Sequence, residues 1–147
     1  MTICTENKEH LFGQVIEGEL HRNEVGDYVA LCWQWLARHF EYVDLDEWIV
    51  MPNYLHGIII ITDGRGGSRA APTAETVPTE RKPLGGLVGA FKTVSNDWYN
   101  QRRGTPAAPL WQRDFFDHII RNEYELEKIR EYIRINPVKW DIDPDFS

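Results

Sequence analysis

The chain has 147 residues, room for one domain with a sizeable core and too few for two. Apolar residues make up 42% of it, which excludes wholesale disorder, and no apolar run approaches the roughly 20 residues that span a bilayer. A net charge of −7 speaks against a general nucleic-acid binder, whose surface should be basic overall.

The distribution of charge says more than its sum. Residues 1–63 carry 3 basic and 11 acidic groups, whereas residues 64–140 carry 13 basic and 9 acidic ones, and the last seven residues add three Asp. Any phosphate-binding surface is therefore expected in the second half, although a solvated mixed-charge surface is the plainer reading of charge alone. The two cysteines, Cys4 and Cys32, lack metal-like spacing, and the first ten residues show neither the basic start nor the apolar stretch of a secretory signal. The expected setting is cytoplasmic, with no membrane partner.

In chain order, residues 11–20 alternate apolar and polar about Gly18 and predict a hairpin. Gly26-Asp27 reads as a cap, and Val29, Cys32, Trp33, Leu36 and Phe40 recur at helical steps, predicting a helix over 26–40. Residues 42–51 predict a strand, Pro52-Asn53 a turn, and 54–62 a second strand whose isoleucine run predicts burial on both faces. Residues 63–83, rich in Gly, Pro, Ala and Thr and without an aromatic, read as a flexible insertion. Helical spacing resumes over 84–102 through Leu87, Val88, Phe91, Val94, Trp98 and Tyr99, and 104–109 is a loop. Residues 110–120 read as an aromatic-rich strand. Asn122 then caps a last helix, with Glu125 at the capping-box position, Leu126, Ile129 and Ile133 as its stripe, and Pro137 as its end. The order ββ-α-ββ-α-β-α predicts one α+β domain over 1–147, an antiparallel sheet with helices packed on it, followed by an acidic tail at 141–147.

Two segments could carry chemistry. In Met51-Pro52-Asn53-Tyr54-Leu55-His56-Gly57, strand alternation points Tyr54 and His56 to one face and Leu55 to the other. A lone strand histidine is more often structural than a ligand. In Arg130-Glu131-Tyr132-Ile133-Arg134-Ile135-Asn136-Pro137, Tyr132 and Asn136 lie four apart on one helix face, just outside the Ile129/Ile133 stripe. Alone, that tyrosine reads as a boundary residue with its hydroxyl in water.

Together these segments resemble the REP-associated tyrosine transposases, single-tyrosine members of the HUH family. VMPNYLHGIIII is similar to their metal-binding strand, Met-Pro-Asn-His-hydrophobic-His-Gly. WQRDFFDHIIRNEYELEKIREYIRINPVKW is similar to their C-terminal strand and helix, and LGGLVGAFKTVSNDWYNQRRGTP to the helix and loop between; the likeness runs over about residues 11–140. It implies a ferredoxin-like α+β fold and nicking and rejoining of single-stranded DNA at short hairpins. It also implies a 5′-phosphotyrosine intermediate, a divalent Mg²⁺ or Mn²⁺ ion, nucleoid association, and a monomer or homodimer. The family's nucleophile falls on Tyr132, its helix-borne amide ligand on Asn136 and its second strand histidine on His56. Its first strand histidine falls on Tyr54, where this chain departs from the pattern. A phenol with a pKa of about 10 is a poor ligand at neutral pH, so Tyr54 is the questionable member of the metal set, or stacks on a base instead.

Lys92, Arg102, Arg103, Arg113, Arg121, Arg130 and Arg134 are candidate phosphate contacts, and His118 is a candidate contact or supporting group. Trp111, Phe115 and Phe116 could stack on unpaired bases. An active enzyme is thus set against a hairpin-DNA binder disabled by Tyr54, and against an unrelated ferredoxin-like module that binds RNA or protein.

Overall fold

A computed structural model describes residues 1–62, 83–104 and 109–140. The predicted insertion, except Pro83, and the acidic tail at 141–147 lie outside the described residues. Among the described residues five strands run β1 (Thr2–Cys4), β2 (Gly13–Ile16), β3 (Glu19–Arg22), β4 (Val43–Met51) and β5 (Tyr54–Ile61). The α-helices among these residues are α1 (Glu24–His39), α2 (Leu84–Arg103) and α3 (Glu123–Lys139), with a short 3-10 turn at Glu6–Lys8. The fold is α+β, and its arrangement is consistent with a ferredoxin-like one.

β4 and β5 form the expected hairpin, closed at Pro52-Asn53 with Met51 opposite Tyr54. β5 is the middle strand of the order β1-β5-β4, all antiparallel. The sequence reading missed β1, because three residues are too few to show a period of two. Alternation divides β5 between two faces. Leu55 joins the main core with Val50, Trp33 and Leu36 of α1, and Leu87, Val88 and Phe91 of α2. Gly57 shares that face because Trp33 leaves no room for a side chain: a Cβ there would stand 2.8 Å from the indole and 3.0 Å from Trp48 Cβ. Tyr54 and His56 point the other way, to α3. Burial of the isoleucine run on both faces is not observed at its end, where Ile60 and Ile61 are 41% and 46% exposed.

The first hairpin is real but shifted. β2 and β3 pair Ile16 with Glu19 across Glu17-Gly18, both at positive φ (50° and 77°), the tight turn that suits strand twist. This two-stranded sheet brings Val15 and Leu20 onto a second, smaller cluster of Met51, Tyr54 and Trp140.

The helix ends follow hydrogen-bond supply. α1 starts two residues earlier than expected, because Asn23 rather than Gly26-Asp27 is the cap: its side chain accepts from Gly26 N–H at 2.9 Å. α3 starts as predicted. Asn122 accepts from Glu125 N–H at 2.8 Å, and the Glu125 carboxylate reaches back to Arg121 N–H at 3.1 Å. Pro137 does not end α3, which continues to Lys139. So near the terminus a proline forfeits a single i→i−4 bond and the last turn survives it.

Residues 110–120 are not a regular strand. They run antiparallel along β1 but touch it through two isolated bridges, Thr2–Phe116 and Thr5–Trp111, whose registers differ by two residues. The Lys92 ammonium donates to the carbonyls of Gln112, Arg113 and Asp114 at 2.8, 3.0 and 3.4 Å. Carbonyls that converge on one cation cannot also alternate along a ladder, which accounts for the slack. Among the described residues no helix is long and apolar enough to cross a membrane.

Two changes test this packing. Gly57→Ala should cost about 1–3 kcal/mol through overpacking against Trp33, and Lys92→Met about 1–2 kcal/mol through loss of charge-assisted hydrogen bonds. Urea unfolding of each variant against the parent chain measures both.

Candidate functional site

α3 lies across the Tyr54/His56 face and runs so that Tyr132 meets His56 while Trp140 meets Tyr54. The His56 and Tyr132 rings are 5.6 Å apart, edge to face at 63°. Those of Tyr54 and Trp140 are 6.4 Å apart and nearly parallel at 27°. Asn136 is one helical turn from both Tyr132 and Trp140, which places it over the 54–56 stretch. It is fully buried, and neither its Nδ2 nor its Oδ1 finds a hydrogen-bond partner among the described residues. A buried amide with both ends unsatisfied is costly. It is the feature of this face that packing does not explain.

His56 is half-buried, and its pKa is lowered to about 4, chiefly by burial and next by the positive charge of the Met1 ammonium. The imidazole is therefore neutral at pH 7, with a nitrogen lone pair to offer. Tyr54 is only 4% exposed and belongs to the small apolar cluster with Met51 and Trp140. The four residues expected to form a site, Tyr54, His56, Tyr132 and Asn136, are thus brought to one face of the sheet.

The implied Mg²⁺ or Mn²⁺ can be tested against these donors. His56 nitrogen and Asn136 oxygen are uncharged donors, and the Asn136 pair lacks competing partners. Among the described residues no group of three His, Cys, Asp or Glu is clustered to hold a metal. The two donors fit a hard ion that takes its remaining oxygens from water and a phosphate; they do not make a cage that would hold one tightly unaided.

The basic candidates separate by location. Lys92, Arg102 and Arg103 are on α2, across the sheet from Tyr132. Lys92 is held by the three carbonyls above, Arg102 pairs with Glu24, and Arg103 donates to Tyr99 Oη at 2.8 Å. His118 shares 2.9 Å with Glu125, whose carboxyl is held below its usual range first by that bond. Arg113, whose carbonyl holds Lys92, and Arg121, next to the Asn122 cap of α3, are exposed and carry no ion pair among the described residues. Arg130 forks onto Asp46, Nε to Oδ1 at 2.8 Å and Nη2 to Oδ2 at 2.7 Å, and Arg134 Nε reaches Glu47 at 3.2 Å. That contact with Arg130 is the first cause holding the Asp46 carboxyl below the usual range.

Asp46 and Glu47 were missed by the sequence reading; two acids in a strand and two arginines at i and i+4 were the available signal. Of the aromatic candidates, Trp111 is core, its Nε1 donating to Ser95 Oγ at 2.9 Å, and Phe116 is 65% exposed. Phe116 borders an apolar groove of about 850 Å³ that runs from His56 along Ile58 and Ile60 to Leu126 and Ile129 of α3.

A Haemophilus influenzae protein described only as uncharacterized is 37% identical over 148 residues, covering 97% of this chain and 81% of its own length. No family model matches the chain.

A pH titration tests the burial of His56. Its folded pKa is about 4 against an ordinary 6.5, so between those values the unfolded chain binds the extra proton. Stability should be fully present above pH 6.5 and fall as pH drops towards 4. Unfolding curves of His56→Gln across this window should show a shallower pH dependence than the parent.

Proposed function

This chain belongs to one family with the Haemophilus influenzae protein, and we propose that it is a REP-associated-type tyrosine transposase: it nicks and rejoins single-stranded DNA at short hairpins through Tyr132. The observation that carries the reading is the meeting of Tyr132 with His56 beside a buried Asn136 whose amide has no partner among the described residues. Residues some 76 positions apart in sequence are brought together, with the nucleophile, the lone-pair donor and the amide in the order that the motif resemblance implies.

Tyr132 Oη attacks the scissile phosphorus. The new Oη–P bond forms as the P–O3′ bond breaks, and the phenolic proton ends on the departing 3′-hydroxyl. The phosphodiester is conserved as a 5′-phosphotyrosine, so rejoining by a 3′-hydroxyl needs no external energy source. His56 and Asn136 would hold Mg²⁺ or Mn²⁺, which when bound supplies Lewis-acid polarisation of the phosphate oxygens. Arg113 and Arg121, exposed on the segment before α3, are the first choices for contacts to the DNA backbone. Such an enzyme would work in the cytoplasm, at the nucleoid, as a monomer or a homodimer.

A second reading, a hairpin-DNA binder without cleavage, is favoured by one observation. Tyr54 replaces the first motif histidine and is buried against Met51 and Trp140, so it brings the ion no imidazole.

Incubation with hairpin-bearing single-stranded DNA and Mn²⁺, followed by a denaturing gel, separates the readings. The enzyme yields a covalent adduct that Tyr132→Phe abolishes. The disabled binder yields an adduct only after Tyr54→His. DNA that is bound but never linked by either protein would remove Tyr132 as nucleophile.

A further inference from the structure

Resting on that reading, the next question is what holds Tyr132 in place. α3 is exposed along much of its length; only Ile133 and Asn136 within it are buried. Apolar packing therefore fixes its height and rotation on the sheet weakly. A phenol that must be in line with a phosphorus atom needs both.

The ladder between β4 and β5 slips between Leu45 and Trp48. In a regular strand, Asp46 and Glu47 would point to opposite faces. The extra residue lets both carboxylates reach α3. Asp46 takes the Arg130 guanidinium with two oxygens, and its Oδ1 also accepts the Glu47 backbone N–H at 2.7 Å, which ties the carboxylate to the bulge. The Asp46 and Arg130 side chains are 12% and 27% exposed, so the fork is shielded. Glu47 takes Arg134, one turn further on. Tyr132 lies between the two arginines in height along α3, on the opposite flank of the helix.

We propose that Asp46 and Glu47 are positioning residues for Tyr132: the bulge in β4 presents two carboxylates that grip Arg130 and Arg134 on one flank of α3 and so fix the helix that sets the Tyr132 ring, on its other flank, against His56. Two anchors about one turn apart fix both translation along α3 and rotation about it, which neither does alone. The planar fork matters as much as the charge, because a bidentate contact fixes orientation where a single ammonium does not.

The test uses the full chain, with the proton cross-peaks between the His56 and Tyr132 rings as a signature that a merely stabilising pair would leave alone. Asp46→Asn should stay folded by circular dichroism and lose those cross-peaks. Adduct formation should slow roughly hundredfold, the scale of a misplacement of about 1 Å, with DNA affinity unchanged. Arg130→Lys keeps the cation and loses the fork, and serves if Asp46→Asn does not fold. It should weaken the cross-peaks and slow adduct formation by a smaller factor. Full cross-peaks in either folded variant overturn the proposal. Failure of the nicking reading looks different: no variant nor the parent forms an adduct, while the cross-peaks still decide the positioning role.

Discussion

β5 is exposed to contradictory demands along eight residues, and period-two alternation is what reconciles them. One set of its side chains must close the main core under α1 and α2; the other must be polar enough to face α3 across a cleft. Leu55 and Gly57 answer the first demand, Tyr54 and His56 the second. A slip of one residue would bury the imidazole under Trp33 and turn Leu55 towards α3. The turn at Pro52-Asn53 and the pairing of Met51 with Tyr54 prevent that slip.

On the cleft side, the electrostatics are mostly internal. The sequence places its basic residues in the second half and its acidic residues in the first, which reads as a surface divided by charge. The fold instead crosses the halves. Asp46 and Glu47 from the acidic half meet Arg130 and Arg134 from the basic half, and Glu24 meets Arg102. Lys92 serves three backbone carbonyls of its own chain. Among the basic candidates in the described residues, Arg113 and Arg121 on the irregular segment before α3 are the ones left without an ion pair for an external polyanion.

Local regularities were the legible part. The two long strands, the three helices and the capping role of Asn122 could be read from spacing because each is a short-range pattern written several times over. β1 was illegible at three residues, and 110–120 looked like a strand because its aromatic alternation is real while its hydrogen bonding is captured by Lys92, a residue about twenty positions upstream. Pro137 misled because a general rule about helix interiors applies weakly in a last turn. In the candidate site, the convergence of His56 with Tyr132 followed from motif likeness rather than from spacing. The acids at 46–47 and the arginines at 130 and 134 were visible as charges, but their pairing was not, since a bulge is a property of two paired strands and leaves no mark in one.

That bulge also bears on how this chain tolerates length changes. Most surface strands accept substitution more readily than insertion or deletion, but here the asymmetry is acute. Removing one residue at 46–47 would restore an unbroken ladder and delete one of the two carboxylates, leaving an arginine on α3 unmatched. Adding one would displace the pair along β4 relative to a helix of fixed pitch. The spacing from Leu45 to Trp48 therefore acts as a ruler cut to one turn of α3, and its information is stored in the number of residues rather than in their identity.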